Sequence, residues 1–355
     1  MEKLRVAIIG TGGISHAHIR AWKKMPDCQV IACCDLDGDK ARRFAQDYDI
    51  PSVYTHCAEL MAREKPDCVS VCTWNSAHAP VTITALRGGA HVLCEKPMAL
   101  NAREAREMAD VARETGRLLQ IGFVRRFGHD ADAVRRLTQA GMLGKIYYGK
   151  TYFLRRSGSP GGWFQDKAYA GGGPMMDIGV HMIDLCKYLA GNPKPVSVYA
   201  VAFSGLDTCG ALGDAPDWAI ETGASPFKHD VEDMAAAMIR FDNGFVLHAE
   251  ASAVLHVCDP GRDIQLFGEK GGVKIGSAVE YCSIQAGMYV KSQPVGQTGF
   301  LHGDATAAEV RGLYRRHSRR ALPGHRSGRR GNVEMMRIID AIYESARTGN
   351  QVNIR

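Results

Sequence analysis

Two rhythms of apolar and polar positions divide the chain. In the first third, apolar runs at Val6–Ile9, Gln29–Cys34, Cys68–Thr73, His91–Cys94 and Leu118–Gly122 alternate with amphipathic stretches. Such runs suit strands buried on both faces. The stretches between them predict helices over Ser15–Lys24, Asp39–Tyr48, Pro80–Gly88 and Asn101–Thr115. Pro26 stops the first helix and Gly88-Gly89 the third. Asn101 suits a helix N-cap, and Gly116 suits the left-handed position after a helix end. Strands alternating with helices predict an α/β domain built on a parallel, doubly wound sheet.

After about residue 123 the rhythm changes. One helix, Ala131–Ala140, precedes strand-like runs at Ile146–Leu154, Val196–Phe203, Ala235–Phe241, Phe245–Ala253, Ile264–Gly268 and Val273–Ile275. Asp242-Asn243-Gly244 is a hairpin turn between two of them. This predicts an α+β domain on an open, mainly antiparallel sheet, with a face available to a substrate or a partner subunit. An amphipathic last helix, Asn332–Thr348, ends at Gly349. The expected division is 1–123, 124–331 and a C-terminal segment, 332–355, that packs back on the first domain.

Length and composition agree with this division. The chain has 355 residues, too many for one ordinary domain and enough for two; 45% are apolar and 23% charged, which are globular values. No apolar run reaches the roughly 18–20 residues needed to span a bilayer. The N-terminus enters a strand almost at once, without the features of a secretory signal, so a cytoplasmic location is expected. The 11 cysteines are scattered and form no C-x-x-C, so neither a metal site nor a disulfide framework is expected. The net charge of +6 is a local feature: eight Arg and no Asp or Glu lie between Arg311 and Gly331, and without them the body is two charges negative. This run contains few aromatics, and no nucleic-acid-binding fold accompanies it, so neither nucleic acid nor membrane is expected as a partner. Two readings of it stay open. One is a solvated basic loop; the other is a local frame shift, because Leu313–Asn332 read one base later can spell an acidic helix and loop.

The first predicted turn, Gly10-Thr11-Gly12-Gly13-Ile14-Ser15, follows a strand and opens a helix. That is the context a dinucleotide fingerprint requires. Gly10 permits the tight turn, Gly12 lets the backbone approach a pyrophosphate, and the helix N-terminus offers N–H groups and a positive dipole end. Ser15, small enough for close packing, replaces the third glycine. The second strand ends at Asp35, placed to accept hydrogen bonds from an adenosine ribose. No Arg stands at Leu36 or Asp37 to hold a 2′-phosphate, which favours NAD over NADP. These features predict a Rossmann dinucleotide-binding domain.

Glu95-Lys96-Pro97 lies at the end of the fourth predicted strand, where a Lys faces the ligand crevice. With the glycine turn, this segment resembles the Gfo/Idh/MocA (glucose–fructose oxidoreductase, inositol dehydrogenase) family. Thr73-Trp74-Asn75-Ser76-Ala77-His78 is similar to the family's Thr-Pro-Asn-x-x-His, with Trp74 in the Pro place. Gly172-Gly173-Pro174-Met175-Met176-Asp177-Ile178-Gly179-Val180-His181 is similar to its glycine-led Asp-x-Gly-x-His helix. The resemblance covers the whole chain. It implies sugar, glycoside or polyol substrates and homo-oligomers formed through the open sheet.

Read from the residues, Asp177 and His181 stand four apart on one helix face, and Pro174 after two glycines marks the helix start, which puts Asp177 in the first turn. Dehydrogenation needs a base for the hydroxyl proton, and His suits this near neutral pH. The resemblance makes His181 that base, lets Lys96 stabilise the developing oxyanion, and has Asp177 orient the substrate or the Lys96 ammonium. Around the cofactor, Gly10, Thr11, Gly12, Gly13, Ile14, Asp35, Thr73, Trp74, Asn75, His78, Glu95, Lys96 and Gln120 are the expected contacts. His16 and His18 are expected to pack beside them. For the substrate, Lys96, Arg126, Tyr152, Arg156, Trp163, Asp177 and His181 are expected. Arg125, Arg155, Phe164 and Lys167 lie close to these in sequence, and Asp184 and Lys187 read as a solvated face. The arginine- and aromatic-rich stretch Tyr152–Trp163 hints at a glycoside oxidised at ring C3. Two other classes remain: NAD-dependent glycoside cleavage or epimerisation through a transient keto sugar, and a non-enzymatic NAD-bound sensor. Intact Lys96, Asp177 and His181 argue against the sensor.

Overall fold

The computed structural model describes residues 3–206, 227–296, 299–318 and 329–354. They form two units, one of residues 1–124 with 302–336 and one of 125–301 with 337–355.

The first unit is built on a six-stranded parallel sheet. Its elements are β1 (Leu4–Ile9), α1 (Ser15–Lys23), β2 (Cys28–Cys34), α2 (Gly38–Asp47), β3 (Ser52–Tyr54), α3 (Cys57–Glu64), β4 (Cys68–Val71), α4 (Asn75–Arg87), β5 (His91–Glu95), α5 (Ala102–Glu114) and β6 (Leu119–Gly122). The strand order is β3-β2-β1-β4-β5-β6. The order reverses between β1 and β4, and ligands of such sheets bind outside the carboxyl ends at that point. Asn101 caps α5, accepting from the Glu104 N–H at 3.0 Å, and Gly116 takes φ +67°. β3 and α3 were not expected: one is three half-buried residues at the sheet edge and the other only eight residues long. α4 begins five residues before Pro80, the expected start. Pro80 lacks only the N–H that would reach back one turn, and a helix this close to its start tolerates that loss.

The second unit carries α6 (His129–Gln139), β7 (Ile146–Leu154), α7 (Lys167–Ala170), α8 (Val180–Leu189), β8 (Pro195–Phe203), β9 (Met234–Phe241), β10 (Val246–Ser252), β11 (Gly261–Gly268), β12 (Gly271–Ile275), β13 (Val279–Gln285), β14 (Met288–Ser292) and β15 (Val352–Asn353). Its nine-stranded sheet runs β14-β13-β12-β11-β7-β10-β9-β8-β15. All neighbours are antiparallel except β10 and β7, which are parallel. Val198, Ala200, Ala235, Ala237, Ile239 and Leu247 are buried, whereas Tyr147, Tyr199, Val201, Phe203 and Met238 stay exposed. One face is therefore covered and the other open. The β13–β14 hairpin was not expected: β14 is five mostly exposed residues, and in β13 the buried Val279, Tyr281 and Ser283 alternate with a mix that includes the exposed Ile284, so the apolar alternation is broken.

Two helices revise the expected division. α9 (His302–Ser318) was expected within the sheet domain, but it packs in the first unit. Ala307, Val310 and Leu313 join Val6, Ile8, Ile19 and Trp22 in one core. α10 (Arg329–Thr348) was expected to pack back on the first domain; its start, up to Met336, belongs to the first unit, and residues 337–355 belong to the second. There Ser345 Oγ accepts from the Ala200 N–H at 2.8 Å, and Val352 pairs with Val198 of β8. The basic run begins inside α9; residues 319–328, and the frame-shift reading of them, lie outside the described residues. Among the described residues no helix is long and apolar enough to cross a membrane.

Candidate active site

In the first unit, the turn after β1 is fixed from below and open above. Gly10 takes φ +86°, and a Cβ there would lie 2.6 Å from the Cys72 carbonyl carbon and oxygen, so only glycine fits. The Asp35 carboxylate holds the next residue: Oδ2 accepts from Thr11 N–H at 2.8 Å and from Thr11 Oγ1 at 2.9 Å. A Cβ on Gly12 would meet nothing nearer than Lys40 Nζ at 3.9 Å, and one on Gly13 would meet nothing within 4 Å. The space over the turn is free, and the N-terminus of α1 carries no side-chain cap. A pyrophosphate fits this cradle by the physics of helix N-termini. Lys40, on α2, stands 3.8 Å from Asp35 Oδ2. Lys40 lies five residues beyond Asp35, outside the Leu36-Asp37 pair that bears on the choice of cofactor in the sequence.

The ends of β4 and β5 bring the rest of the expected cofactor set together. Thr73 and Trp74 lie half-buried after β4, and Asn75 is buried at the start of α4. His78 is buried, with Nδ1 2.7 Å from the Pro97 carbonyl and Nε2 3.1 Å from the Thr73 carbonyl. Both ring nitrogens face protein acceptors. Gln120 is buried and donates to the Glu309 carbonyl of α9 at 3.2 Å. Glu95 is buried and pairs with His18 Nε2 at 2.9 Å. His18 Nδ1 lies 3.2 Å from Ser70 Oγ, which also accepts from Trp22 Nε1 at 2.9 Å. Burial opposes charge on His18, but the Cys72 sulfur and the Glu95 carboxylate outweigh it, and its pKa lies well above the ordinary value. Burial likewise opposes ionisation of Glu95; His18 and Lys96 nonetheless hold it below the usual carboxylate range. The pair is therefore ionised. Within 92–99, Lys96 alone keeps partial exposure. His16, on α1, meets Tyr48 Oη at 2.8 Å through Nδ1.

In the second unit, a pocket is lined by Arg155, Ser159, Phe164, Pro174, Asp177 and His229, among others. Asp177 does not lie in the first turn of an α-helix, as expected. It sits in one turn of π-helix, Met175–Gly179, that runs into α8. The Val180 N–H reaches Met175 O, five residues back. Gly179 packs too closely against Met175 and Ala251 to accept a Cβ, which would lie 2.6 Å from Met175 Sδ. Such packing fits the extra residue per turn, and π turns recur at functional sites. Across 172–187, Asp177 and His181 alone are not fully buried.

Glu232 fixes the entry to this segment. It accepts from the Gly173 N–H at 2.8 Å, the Met175 N–H at 3.1 Å and Tyr343 Oη at 2.9 Å. Burial raises its pKa. A Cβ on Gly173 would lie 2.1 Å from the Glu232 carbonyl oxygen, so the glycine pair is held tight. No motif announced Glu232. Its only trace in the sequence is the adjacent pair Glu232-Asp233 just ahead of an apolar strand.

The expected substrate residues separate. Arg155 and Phe164 line the pocket, in place of their expected neighbours Arg156 and Trp163. Burial lowers the Arg155 pKa, while Asp177 acts in the opposite sense. Arg156 is exposed, Tyr152 is half-buried on β7, and Trp163 stacks on Phe164 with ring centroids 3.9 Å apart. Arg126 is held by Asp184 through two contacts of 2.6 Å and lies over Tyr188. Arg125 pairs with Asp130 at 3.0 Å. Asp184 and Lys187 are buried, not solvated as expected. The bidentate pair with Arg126 explains how the Asp184 carboxylate is accommodated there. Among the described residues no group of His, Cys, Asp or Glu is placed to hold a metal ion.

Residues 4–123 match the model of the Gfo/Idh/MocA oxidoreductase family with its NAD-binding Rossmann fold, and residues 131–274 match a C-terminal domain of the same family. The chain is 33% identical to D-glucoside 3-dehydrogenase of Escherichia coli K12, over 99% of this chain and 97% of that protein. It is 27% identical to levoglucosan dehydrogenase of Pseudarthrobacter phenanthrenivorans, over 77% of this chain and 73% of that one. In fold it is similar to a levoglucosan dehydrogenase solved with NADH and L-sorbose, at a TM-score of 0.86 and 22% identity over the whole of both chains.

Proposed function

The chain belongs to the Gfo/Idh/MocA oxidoreductase family, and on that premise we propose that it is an NAD-dependent dehydrogenase of a secondary hydroxyl on a sugar or glycoside, with D-glucosides oxidised at ring C3 as its first candidate substrates. The observation that carries this is the arrangement of partly exposed polar residues in otherwise buried segments: Lys96 after β5, and Asp177 and His181 along 172–187. The likeness to D-glucoside 3-dehydrogenase along nearly the full chain supports the choice of substrate.

Gly12, Gly13 and the N-terminus of α1 hold the pyrophosphate, and Asp35 accepts from the adenosine ribose. When bound, NAD supplies a hydride acceptor at C4 of its nicotinamide. His181 takes the proton of the substrate hydroxyl through its imidazole while the C–H bond breaks with its electron pair and the carbonyl forms. The Lys96 ammonium donates to the reacting oxygen and stabilises the charge that develops on it. Asp177 accepts from a neighbouring hydroxyl and fixes the sugar ring. Arg155 and Phe164 supply a donor fork and an apolar wall beside it. The exposed sheet face around Tyr199, Phe203 and Met238 is the surface proposed for self-association; a monomer by sedimentation would remove that part.

Lys96→Met and His181→Asn test the roles. Each should lower kcat by about 10²-fold or more while NAD affinity stays near wild type. Full turnover in either variant would remove that residue from the mechanism.

A further inference from the structure

Lys96 sits between two residues that are each gripped by a different buried histidine. On one side, Glu95 Oε1 is bound by His18 Nε2 at 2.9 Å, while Glu95 Oε2 accepts the Lys96 N–H at 3.2 Å. On the other side, the Pro97 carbonyl is bound by His78 Nδ1 at 2.7 Å, and the same ring reaches the Thr73 carbonyl at 3.1 Å. His18 comes from α1, directly behind the glycine turn, and His78 from α4. Neither ring is open to solvent, at 0% and 1% exposure. We propose that His18 and His78 are a matched pair of positioning residues that fix the backbone on both sides of Lys96 and so set where its ammonium stands. This rests on the role given to Lys96 above.

The chemistry of the two grips differs. The His18–Glu95 bond joins two charges in a buried setting, where losing one partner is costly. His78 bonds two carbonyls, which only accept, so both of its nitrogens donate when the ring is doubly protonated. Burial lowers the His78 pKa against that state. A neutral ring keeps one of the two bonds. Through His18 the same device links the lysine to α1, the helix that carries the phosphate cradle. The grip thus ties the cofactor end of the unit to the residue that meets the reacting oxygen.

His78→Asn keeps a donor near Nδ1 and loses the second bond, whereas His78→Leu loses both. His18→Gln keeps a donor near Nε2, and His18→Leu removes the partner of Glu95 Oε1. The expected order of kcat is wild type, then His78→Asn and His18→Gln, then the Leu variants, which fall by about 10²-fold, as small misplacements of catalytic groups do. KM for the sugar should stay within about twofold, and in a Lys96→Met background the histidine changes should lower residual turnover no further. A residue that only stabilises the fold would lower the melting temperature and leave kcat of the folded fraction unchanged; that result would overturn the proposal. If a Leu variant does not fold, the Asn and Gln variants decide by the same split. If Lys96→Met itself keeps full turnover, the reading of Lys96 fails; if it is inactive while the histidine variants keep wild-type kcat, only the positioning role fails.

Discussion

Gly10 and Gly12 belong to one motif but answer different demands. Gly10 is set by the protein, with a positive φ and the Cys72 carbonyl where a Cβ would go. Gly10→Ala should destabilise by about 1–3 kcal/mol from backbone conformation alone, with a further cost from the clash, read by denaturant unfolding. Gly12 has room for a methyl group, so Gly12→Ala should keep its stability and lose NAD affinity. Wild-type affinity in that variant would move the pyrophosphate elsewhere. The spacing of the motif made both glycines legible; which of them is set by packing depends on β4, which lies far away in sequence. Asp35 was legible in the same way, but its bonds to Thr11 and the nearby Lys40 were not. The buried pair His18–Glu95 carries a pH signature. The His18 pKa is raised above its ordinary 6.5, so its stabilisation is complete below pH 6.5 and is lost as pH rises through the folded value. The Glu95 pKa is lowered below its ordinary 4.5, so its share is present above pH 4.5 and is lost as pH falls through the folded value. Stability should therefore be greatest between these limits, and His18→Gln should flatten the decline on the alkaline side in thermal melts.

At the scale of elements, long periodic segments were readable and short or interrupted ones were not. α5 carried an Asn cap, an apolar face and a terminal glycine, all local signals, and it lies where they place it. β3, α3 and the β13–β14 hairpin are short and largely held by neighbours, so their patterns were too weak to read. α9 was hidden because the basic run covers its second half. The π turn at Met175–Gly179 was also hidden: the sequence spacing carries no sign of it, and Gly179 packs there against Ala251 of a distant strand. The spacing of Asp177 and His181 pointed to one continuous α-helix, whereas Asp177 lies in a π turn that runs into the helix carrying His181. The segment is held at its start by Glu232, which is held in turn by Tyr343 from α10. Tyr343→Phe removes one hydrogen bond to that carboxylate. It should cost about 1–3 kcal/mol in denaturant unfolding and leave NAD affinity unchanged. No loss of stability would show that the Tyr343 bond contributes nothing to the clamp.

On the scale of the whole molecule, the alternation of strands and helices was enough to separate a parallel sheet from a mainly antiparallel one. The return of α9 to the first unit was not, because chain order carries no information about which sheet a late helix covers. The pocket of the second unit was the least legible part. Arg155, Phe164, His229 and Glu232 meet there from separate stretches of the second unit; only Arg155 lay in the segment singled out by its composition, and Phe164 directly follows that segment. The central claim concerns the reaction of the intact protein. The most direct test is to supply it with NAD and a panel of D-glucosides, follow NADH, and locate the oxidised carbon in the product by NMR. The account predicts NADH forming in step with a keto glycoside oxidised at ring C3, with no sugar released. Protein that binds NAD yet forms no NADH with any sugar, glycoside or polyol, or that releases free sugar with no net NADH, would contradict it.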